Sequence, residues 1–131
     1  MAYLGAPEEG STVGTINGQK AASSYEWNVA VALYSYGWDF SYQVSYFGGR
    51  RIAGGQVLDF LVHTPPLLTP IYVYGEYYHA NRTQERDRWL ITKLKAALHG
   101  RIREPLIWTG EQCATIKDAK NSVLQHLGRA S

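Results

Sequence analysis

The chain has 131 residues, which suits one domain with one hydrophobic core. Its 13 Lys and Arg residues against 11 Asp and Glu residues exclude a histone-like balance, so any contact with nucleic acid must come from a local basic patch. The single cysteine excludes an internal disulfide and a cysteine-based zinc cluster. Neither a signal-peptide core nor a membrane-spanning apolar run is found, so a cytoplasmic protein without a membrane partner is expected.

The first half of the chain predicts an arm, a helix and a hairpin. Residues 1–20 are rich in glycine and small polar residues without any period, which predicts a flexible arm that adds nothing to a single domain over residues 21–131. A helix is predicted over residues 23–34. The alternation of residues 40–47 and the glycine-bounded turn "GGRRIAGG" predict a hairpin with residues 56–62.

The second half predicts two strands and two helices. The prolines of "HTPPLLTP" argue against a central strand there, so a short apolar strand is predicted only over residues 71–74. The clearest helix lies in "RTQERDRWLITKLKAALHG", with Gly100 placed to cap it. A short buried strand in "EPLIWTG" and a last helix over residues 111–127 follow. The order αβββαβα predicts an α/β fold with a central mixed four-stranded sheet flanked by helices.

Asp59 is the most unusual residue of the predicted hairpin, because it lies inside the apolar strand "VLDFLV". Alternation places residues on two faces: Val57, Asp59 and Leu61 on one, and Leu58, Phe60 and Val62 on the other. A carboxylate in such a strand needs a partner or a metal ion, because burying an unpaired charge is unfavourable. Two interpretations are open: a metal ligand, or an aspartate paired with an arginine or with backbone amides.

Glu26 and His79 have a similar pair of interpretations. Glu26 lies on the core-facing stripe of the first helix and could reach the sheet, but Ser23 and Glu26 also fit the S-x-x-E capping box. His79 follows Gly75 at the end of an apolar strand. An imidazole there can act as base, acid or metal ligand, or it can be an ordinary hydrogen-bonded residue.

Candidate nucleic-acid contacts come from two predicted loops. Arg50 and Arg51 lie on the hairpin tip, and Arg82 begins the long helix. These side chains can contact phosphates if the fold brings both loops to one edge. Tyr77 and Tyr78 can stack against bases or wedge between them.

The order of these features resembles a known superfamily. A helix with a glutamate, a hairpin that ends in "GGQVLDFLV", the strand "IYVYGEYYH" and a helix that starts "ERDRWL" are similar to restriction-endonuclease-like (PD-(D/E)XK) proteins. The resemblance covers about residues 23–127 and is strongest to very-short-patch-repair endonucleases and their phage-encoded relatives. It implies a restriction-endonuclease-like core and a small endonuclease or nickase in a bacterial host cell. The enzyme would use Mg²⁺ or Mn²⁺ on duplex, mismatched or branched DNA.

The resemblance also assigns roles to single residues. Asp59 matches the metal-binding aspartate, and the backbone carbonyl of Val73 would complete the metal site. His79 matches the general base, and Glu26 matches the helix glutamate that supports the site, where it is expected to share the metal ion with Asp59. Glu76 stands where the branch has a zinc-binding cysteine, so no zinc is expected.

One departure from the superfamily supports a different class of function. Tyr72 and Tyr74 occupy the positions of its usual E-x-K pair, and neither can replace a carboxylate or a lysine. A catalytically degenerate nuclease fold would instead serve as a DNA-binding or virion-structural subunit, located in the virion. The arm of residues 1–20 would then bind a second copy or a phage assembly partner. An RNA nuclease is a third reading, since no residue separates RNA from DNA.

Overall fold

A computed structural model describes residues 1–46, 56–74, 92–93, 95–96 and 98–130 of the chain. The strands are β1 (Leu4–Gly5), β2 (Thr15–Ile16), β3 (Gln19–Lys20), β4 (Phe40–Tyr46), β5 (Gln56–Thr64), β6 (Leu67–Tyr74) and β7 (Leu106–Thr109). The helices are α1 (Ser24–Ser35), α2 (Gly110–Cys113) and α3 (Ile116–His126). Residues 92–93 and 95–96 are also helical and lie within the long helix that the sequence predicts.

The larger sheet has the order β4-β5-β6-β7. Its first two pairings, β4 with β5 and β5 with β6, are antiparallel, whereas β6 and β7 are parallel. A parallel neighbour requires a crossover connection, and the helical residues 92–93 and 95–96 belong to the segment that makes it. The predicted α/β class with a mixed four-stranded sheet and helices is therefore confirmed, as is the hairpin of β4 with β5.

The prediction that prolines exclude a central strand is wrong. Pro70 lies inside β6, which has a neighbouring strand on both sides. Leu68 directs its backbone groups away from β5, since its N–H donates to the carbonyl of Arg101 and its carbonyl accepts from the N–H of Arg103. Backbone groups alternate sides along a strand, so the backbone nitrogen and carbonyl of Pro70 also point away from β5. On that side the ladder with β7 begins only at Ile71, and the missing proline N–H removes no ladder bond.

The end of the chain differs from the prediction in two ways. The last helix is broken into α2 and α3, because Thr115 has an extended backbone and caps α3 through a bond from the Asp118 N–H to its hydroxyl, 3.1 Å. The strand β7 is an edge strand and not a buried one. Trp108 is 1% exposed, but Ile107 on the opposite face is 39% exposed.

The helix α1 begins and ends as the sequence predicts. Ser23 has an extended backbone, and its hydroxyl accepts a hydrogen bond from the Glu26 N–H. Gly37 follows the helix in a left-handed conformation, with φ of 83°. The predicted cap at Gly100 is also confirmed, since its φ is 75° and its N–H donates to the carbonyl of Lys95.

The prediction that residues 1–20 add nothing to the core is wrong. These residues form a second, three-stranded antiparallel sheet of β1, β2 and β3. Ile16 is fully buried and belongs to the same hydrophobic cluster as α1. Gly14 packs so closely on α1 that a Cβ there would lie 2.8 Å from the Trp27 ring. The side-chain amide of Asn17 donates to the carbonyl of Phe40, 3.1 Å, which joins this sheet to β4.

Hydrophobic clusters lie on both faces of the larger sheet. The first cluster packs the sheet against α1 and α3 and includes Val29, Leu33, Phe60, Val62, Val73, Trp108 and Val123. The second cluster lies on the opposite face and consists of Leu58, Leu61, Tyr72, Tyr74 and Ile102, with Leu98 packed against it. In the described residues, no helix is long and apolar enough to cross a membrane.

Candidate functional site

The ladder between β4 and β5 is interrupted at Gln43 and Asp59. Tyr42 pairs with Phe60 and Val44 pairs with Leu58, and the regular pairing passes over the two residues between them. Gln43 has a φ of 52°, in the left-handed region that residues other than glycine seldom occupy. A left-handed residue in one strand of an antiparallel pair bends the strand locally. Asp59 therefore lies opposite a bend and not in a regular ladder.

Both strands change the faces of their side chains at this point. Phe60 and Val62 pack in the first cluster, toward α1, whereas Leu58 packs in the second cluster on the opposite face. In β4, Tyr42 belongs to the first cluster and Val44 packs against the second. The prediction that Leu58 shares a face with Phe60 and Val62 is therefore wrong, because the bend reverses the alternation between positions 58 and 60.

The Asp59 carboxylate is directed toward the backbone of β6. Asp59 is 3% exposed, and its Oδ2 atom accepts a hydrogen bond from the N–H of Val73, 2.9 Å. The regular pairing of β5 with β6 ends at Phe60 and Ile71, so the carboxylate takes an amide that a β5 carbonyl would otherwise bind. Pairing with a backbone amide was one of the two interpretations open for Asp59, and the structure contains that contact.

Val73 presents a second oxygen on the same side of β6. In a strand, the N–H and the C=O of one residue point in the same direction. Because the N–H of Val73 points to Asp59, its carbonyl also faces the gap between β5 and β6. A carboxylate oxygen and a backbone carbonyl oxygen are both ligands that Mg²⁺ and Mn²⁺ accept. Both oxygens thus belong to the ligand class of a hard divalent cation.

Glu26 is held by three hydrogen bonds at the junction of α1 and β4. It is 8% exposed, and its Oε2 atom accepts from the Ser23 hydroxyl, 2.9 Å. Its Oε1 atom accepts from the hydroxyl of Tyr42, 3.1 Å, and from the amide nitrogen of Gln43, 2.7 Å. The expected reach to the sheet is thus realised through Oε1, whereas Oε2 bonds to the side chain of the cap residue. The cap differs from a capping box, because Glu26 binds the hydroxyl of Ser23 and not its backbone amide.

Tyr42 is a permanent donor in this group. Burial, and then the charge of Glu26, raise the pKa of the Tyr42 hydroxyl far above its usual value. The hydroxyl therefore stays protonated and donates to Glu26, while it accepts a hydrogen bond from the N–H of Ala22, 3.0 Å. Three donors therefore already bond to the two oxygens of the Glu26 carboxylate.

The other residues predicted for the site lie outside the described residues. This holds for the base His79, for Gly75 and Glu76, and for the predicted DNA contacts: Arg50, Arg51, Tyr77, Tyr78 and Arg82. In the part of the chain that the structure describes, no group of three His, Cys, Asp or Glu residues is arranged to hold a metal ion. Tyr72 and Tyr74, at the E-x-K positions, are 0% and 3% exposed and pack edge to face in the second cluster.

A second polar group, which the sequence analysis missed, joins β4 to β5 near their other ends. His63 Nδ1 lies 3.1 Å from Asp39 Oδ2, and His63 Nε2 lies 3.4 Å from the Ser41 hydroxyl. The other oxygen of Asp39 accepts the backbone N–H groups of Phe40, 3.0 Å, and of Ala2. Asp39 thus fastens the N-terminal segment to the larger sheet.

Charge effects support this anchoring role of Asp39. Partial burial opposes ionisation, but the hydrogen bond from Ala2 and the neighbouring His63 outweigh it and lower the pKa of Asp39 below its usual value. Asp39 and His63 also border a cavity of about 660 Å³, whose wall includes Trp38, Arg103 and Leu127.

No family model, curated protein or solved structure matches this chain.

Proposed function

We propose that the chain is a small metal-dependent DNA endonuclease or nickase with a restriction-endonuclease-like core. The observation that carries the proposal is the placement of Asp59, a buried carboxylate at an interruption of the sheet, beside the backbone of Val73. A buried carboxylate is rarely kept in a strand without a partner or a function. Glu26 is a second buried carboxylate, and the Gln43 side chain joins it to β4, the strand that pairs with β5 on either side of Asp59.

In this proposal the residues of the chain have separate roles. A bound Mg²⁺ or Mn²⁺ ion would activate water and stabilise the charge on the phosphate. Asp59 and the carbonyl of Val73 would hold the ion, and Glu26, which is fixed by its bonds to Ser23 and Tyr42, would support the site. His79 takes a proton from the attacking water. The bond from the Val73 N–H keeps the Asp59 carboxylate oriented.

The DNA contacts of this proposal are predicted from the sequence. Arg50, Arg51 and Arg82 bind phosphates, which gives an affinity that falls with salt. Tyr77 and Tyr78 stack on or wedge between bases, an arrangement that favours mismatched or branched duplexes because their bases unstack at lower cost. Cleavage in the cytoplasm of a bacterial host is the setting that this activity implies.

A second candidate function is a catalytically degenerate nuclease fold that serves as a DNA-binding or virion-structural subunit. The observation that favours it is the burial of Tyr72 and Tyr74, since these side chains build the core at the positions where the superfamily places its E-x-K pair. In this case DNA binding would persist without a metal ion, and the assembly partners would be further copies or other virion proteins.

One cleavage experiment separates the two candidates. Supercoiled, nicked, mismatched and branched DNA, and an RNA duplex, are incubated with the protein in Mg²⁺, Mn²⁺ or EDTA. The nuclease predicts metal-dependent cleavage that Asp59→Asn abolishes, while the asparagine still accepts the Val73 amide and preserves the fold. His79→Ala should retain Mn²⁺ binding and lose about 10²–10⁴-fold in rate. The exposed Glu9→Gln is the matched control.

The outcomes assign the function. Cleavage of no substrate in either metal, together with metal-independent DNA binding, supports the degenerate fold. Cleavage that persists in Asp59→Asn would refute the assignment of the metal site. Equal cleavage by His79→Ala and wild type would refute the assigned base alone.

A further inference from the structure

Three polar side chains form a chain of contacts across β4 and β5. Asp39 Oδ2 lies 3.1 Å from His63 Nδ1, and the other ring nitrogen, Nε2, lies 3.4 Å from the hydroxyl of Ser41. A carboxylate, an imidazole and a hydroxyl in this order are the groups that activate a serine as a nucleophile. The contacts therefore have the connectivity of a serine, its base and the carboxylate that orients the base.

The register of the hairpin brings Ser41 and His63 together. Phe40 and Tyr42 pack toward α1 in the first cluster, so Ser41 between them points to the opposite face of the sheet. Leu61 belongs to the second cluster on that face, and His63 shares its side of β5 by alternation. Since Ser41 pairs with Leu61, His63 is its diagonal neighbour on the same face.

Asp39 is held in a position that orients the His63 ring. Its Oδ1 atom accepts the backbone N–H groups of Phe40, 3.0 Å, and of Ala2, which leaves Oδ2 to face His63 Nδ1. The lowered pKa of Asp39 keeps this carboxylate ionised at neutral pH. An ionised carboxylate beside Nδ1 favours a proton on that nitrogen, so Nε2 is left as the acceptor that faces Ser41.

The backbone beside Ser41 offers a donor for the oxygen that becomes negative during acyl transfer. The N–H of His63 donates to the carbonyl of Asp39, 2.9 Å, so alternation makes Ser41 with Leu61 the next hydrogen-bonded pair. The N–H of Tyr42 therefore points away from β5, and the ladder does not use it. The N–H of the residue that follows a nucleophile is a known oxyanion donor.

The cavity of about 660 Å³ lies next to the imidazole that Ser41 contacts, because His63 and Asp39 form part of its wall. Its volume falls within the range of small-molecule sites. The side chain of His63 is 41% exposed, so a small molecule can reach it from solvent. Much of the remaining wall is apolar and suits an alkyl or aryl group: Trp38, Pro65, Pro66, Leu67 and Leu127.

We propose that Ser41, His63 and Asp39 form a second catalytic site, which hydrolyses small carboxylic esters that carry an apolar group. The Ser41 oxygen forms a bond to the ester carbonyl carbon while His63 Nε2 takes the hydroxyl proton. The bond from this carbon to the alcohol oxygen then breaks, and the alcohol leaves with the proton from His63. The N–H of Tyr42 donates to the negative oxygen of the tetrahedral intermediate.

Water completes the reaction. His63 takes a proton from a water molecule whose oxygen bonds to the acyl carbon of the acyl-serine. The bond from this carbon to the Ser41 oxygen breaks, the serine regains the proton from His63, and a carboxylic acid is released. These steps need only groups of the chain and water, so the site is independent of the nuclease function proposed above.

Covalent labelling of the full chain tests the nucleophile. A fluorophosphonate reacts with an activated serine, because the serine oxygen bonds to phosphorus, fluoride leaves and the base takes the proton. The reaction is run in EDTA, and the labelled peptide is identified by mass spectrometry. Hydrolysis of p-nitrophenyl butyrate and thermal unfolding are measured on the same samples.

Two variants and two matched controls accompany the wild type. Ser41→Ala removes the nucleophile, and His63→Gln keeps an amide donor for the neighbouring carboxylate but has no basic nitrogen. Ser35→Ala is the serine control, since Ser35 is exposed and its hydroxyl donates to the carbonyl of Val31, 2.7 Å. His126→Gln, at an exposed position of α3, is the histidine control.

The wild type is expected to carry a single adduct, on Ser41, and to hydrolyse the ester faster than buffer does. Ser41→Ala should lose both reactions, and His63→Gln should slow both by about 10²–10⁴-fold at an unchanged melting temperature. The two controls should match the wild type. Absence of an adduct on Ser41 in the wild type overturns the proposal, whether or not the variants fold. Labelling and hydrolysis that His63→Gln retains at the wild-type rate also overturn it.

Discussion

The packing of the N-terminal sheet makes Ile16→Ala a strong perturbation of stability. Ile16 is fully buried in the cluster that contains α1, so the substitution removes three carbons from the core. At about 0.8 kcal/mol for each buried carbon, the transfer term is roughly 2.4 kcal/mol. The cavity left behind adds to this, because α1 and β4 hold the surrounding backbone, and the measured range for such changes is about 2–5 kcal/mol.

Urea unfolding followed by circular dichroism measures this effect. The free energy of unfolding should fall by about 2–5 kcal/mol with an unchanged m-value, a large fraction of the roughly 5–15 kcal/mol that stabilises a domain. Gln19→Ala is the matched control, since Gln19 is the exposed partner of Ile16 in the pairing of β2 with β3. Its effect should stay within about 0.5 kcal/mol.

A third variant tests whether the loss of stability scales with the number of buried carbons that are removed. Ile16→Val removes one carbon and should reduce the free energy of unfolding by about 0.5–1.5 kcal/mol. If Ile16→Ala unfolds within about 0.5 kcal/mol of wild type, the N-terminal sheet does not belong to the cooperative core, and residues 1–20 are an arm after all.

Three further predictions follow from single contacts. Because the pKa of Asp39 is lower in the folded chain, its contribution to stability is complete above about pH 4 and is lost as the pH falls through the lowered value. Acid titration of unfolding should therefore show a flatter acid limb for Asp39→Asn than for the exposed control Glu9→Gln. Burial, and then nearby acidic charges, raise the pKa of the Cys113 thiol to about 12, so a disulfide reagent at about pH 8 should label it only after unfolding; rapid labelling of the native protein would contradict this. Thr115→Ala removes the cap of α3 and should reduce the free energy of unfolding by about 0.5–2 kcal/mol, whereas the exposed Thr12→Ala should change it little, and equal melting curves for both would argue against the helix break.

The parts of the fold that the sequence predicts are those with local causes. Ser23 marks the start of α1 because a hydroxyl at that point can accept a free helix N–H. The hairpin of β4 and β5 follows from alternation on each side of a glycine-rich turn, and Gly100 ends a helix because it adopts a positive φ easily. Each of these signals lies within a few residues of the structure that it specifies.

The incorrect predictions concern contacts between distant residues. Composition alone suggested an arm, but Asn17 and Gly18 form a tight turn with φ values of 53° and 83°, and the Asn-Gly pair was a local sign of a hairpin. Pro70 was read against the general rule for strands, whereas its compatibility depends on which side of β6 its nitrogen faces. Nothing local could pair Asp39 with His63, since they are 24 residues apart, one just before β4 and the other in β5.

The candidate site shows the same division between local and distant causes. Glu26 was recognised because the capping pattern and the apolar stripe both include it, and each of those two readings assigned the carboxylate to one partner. The structure divides the carboxylate between them, with Oε2 on the Ser23 hydroxyl and Oε1 on Tyr42 and Gln43. Gln43 was missed because a regular alternation hides a left-handed residue. A carboxylate that bonds to the cap residue and also to a strand thus fixes α1 to β4 beside the interruption of the ladder, so one local signal takes part in a long-range contact.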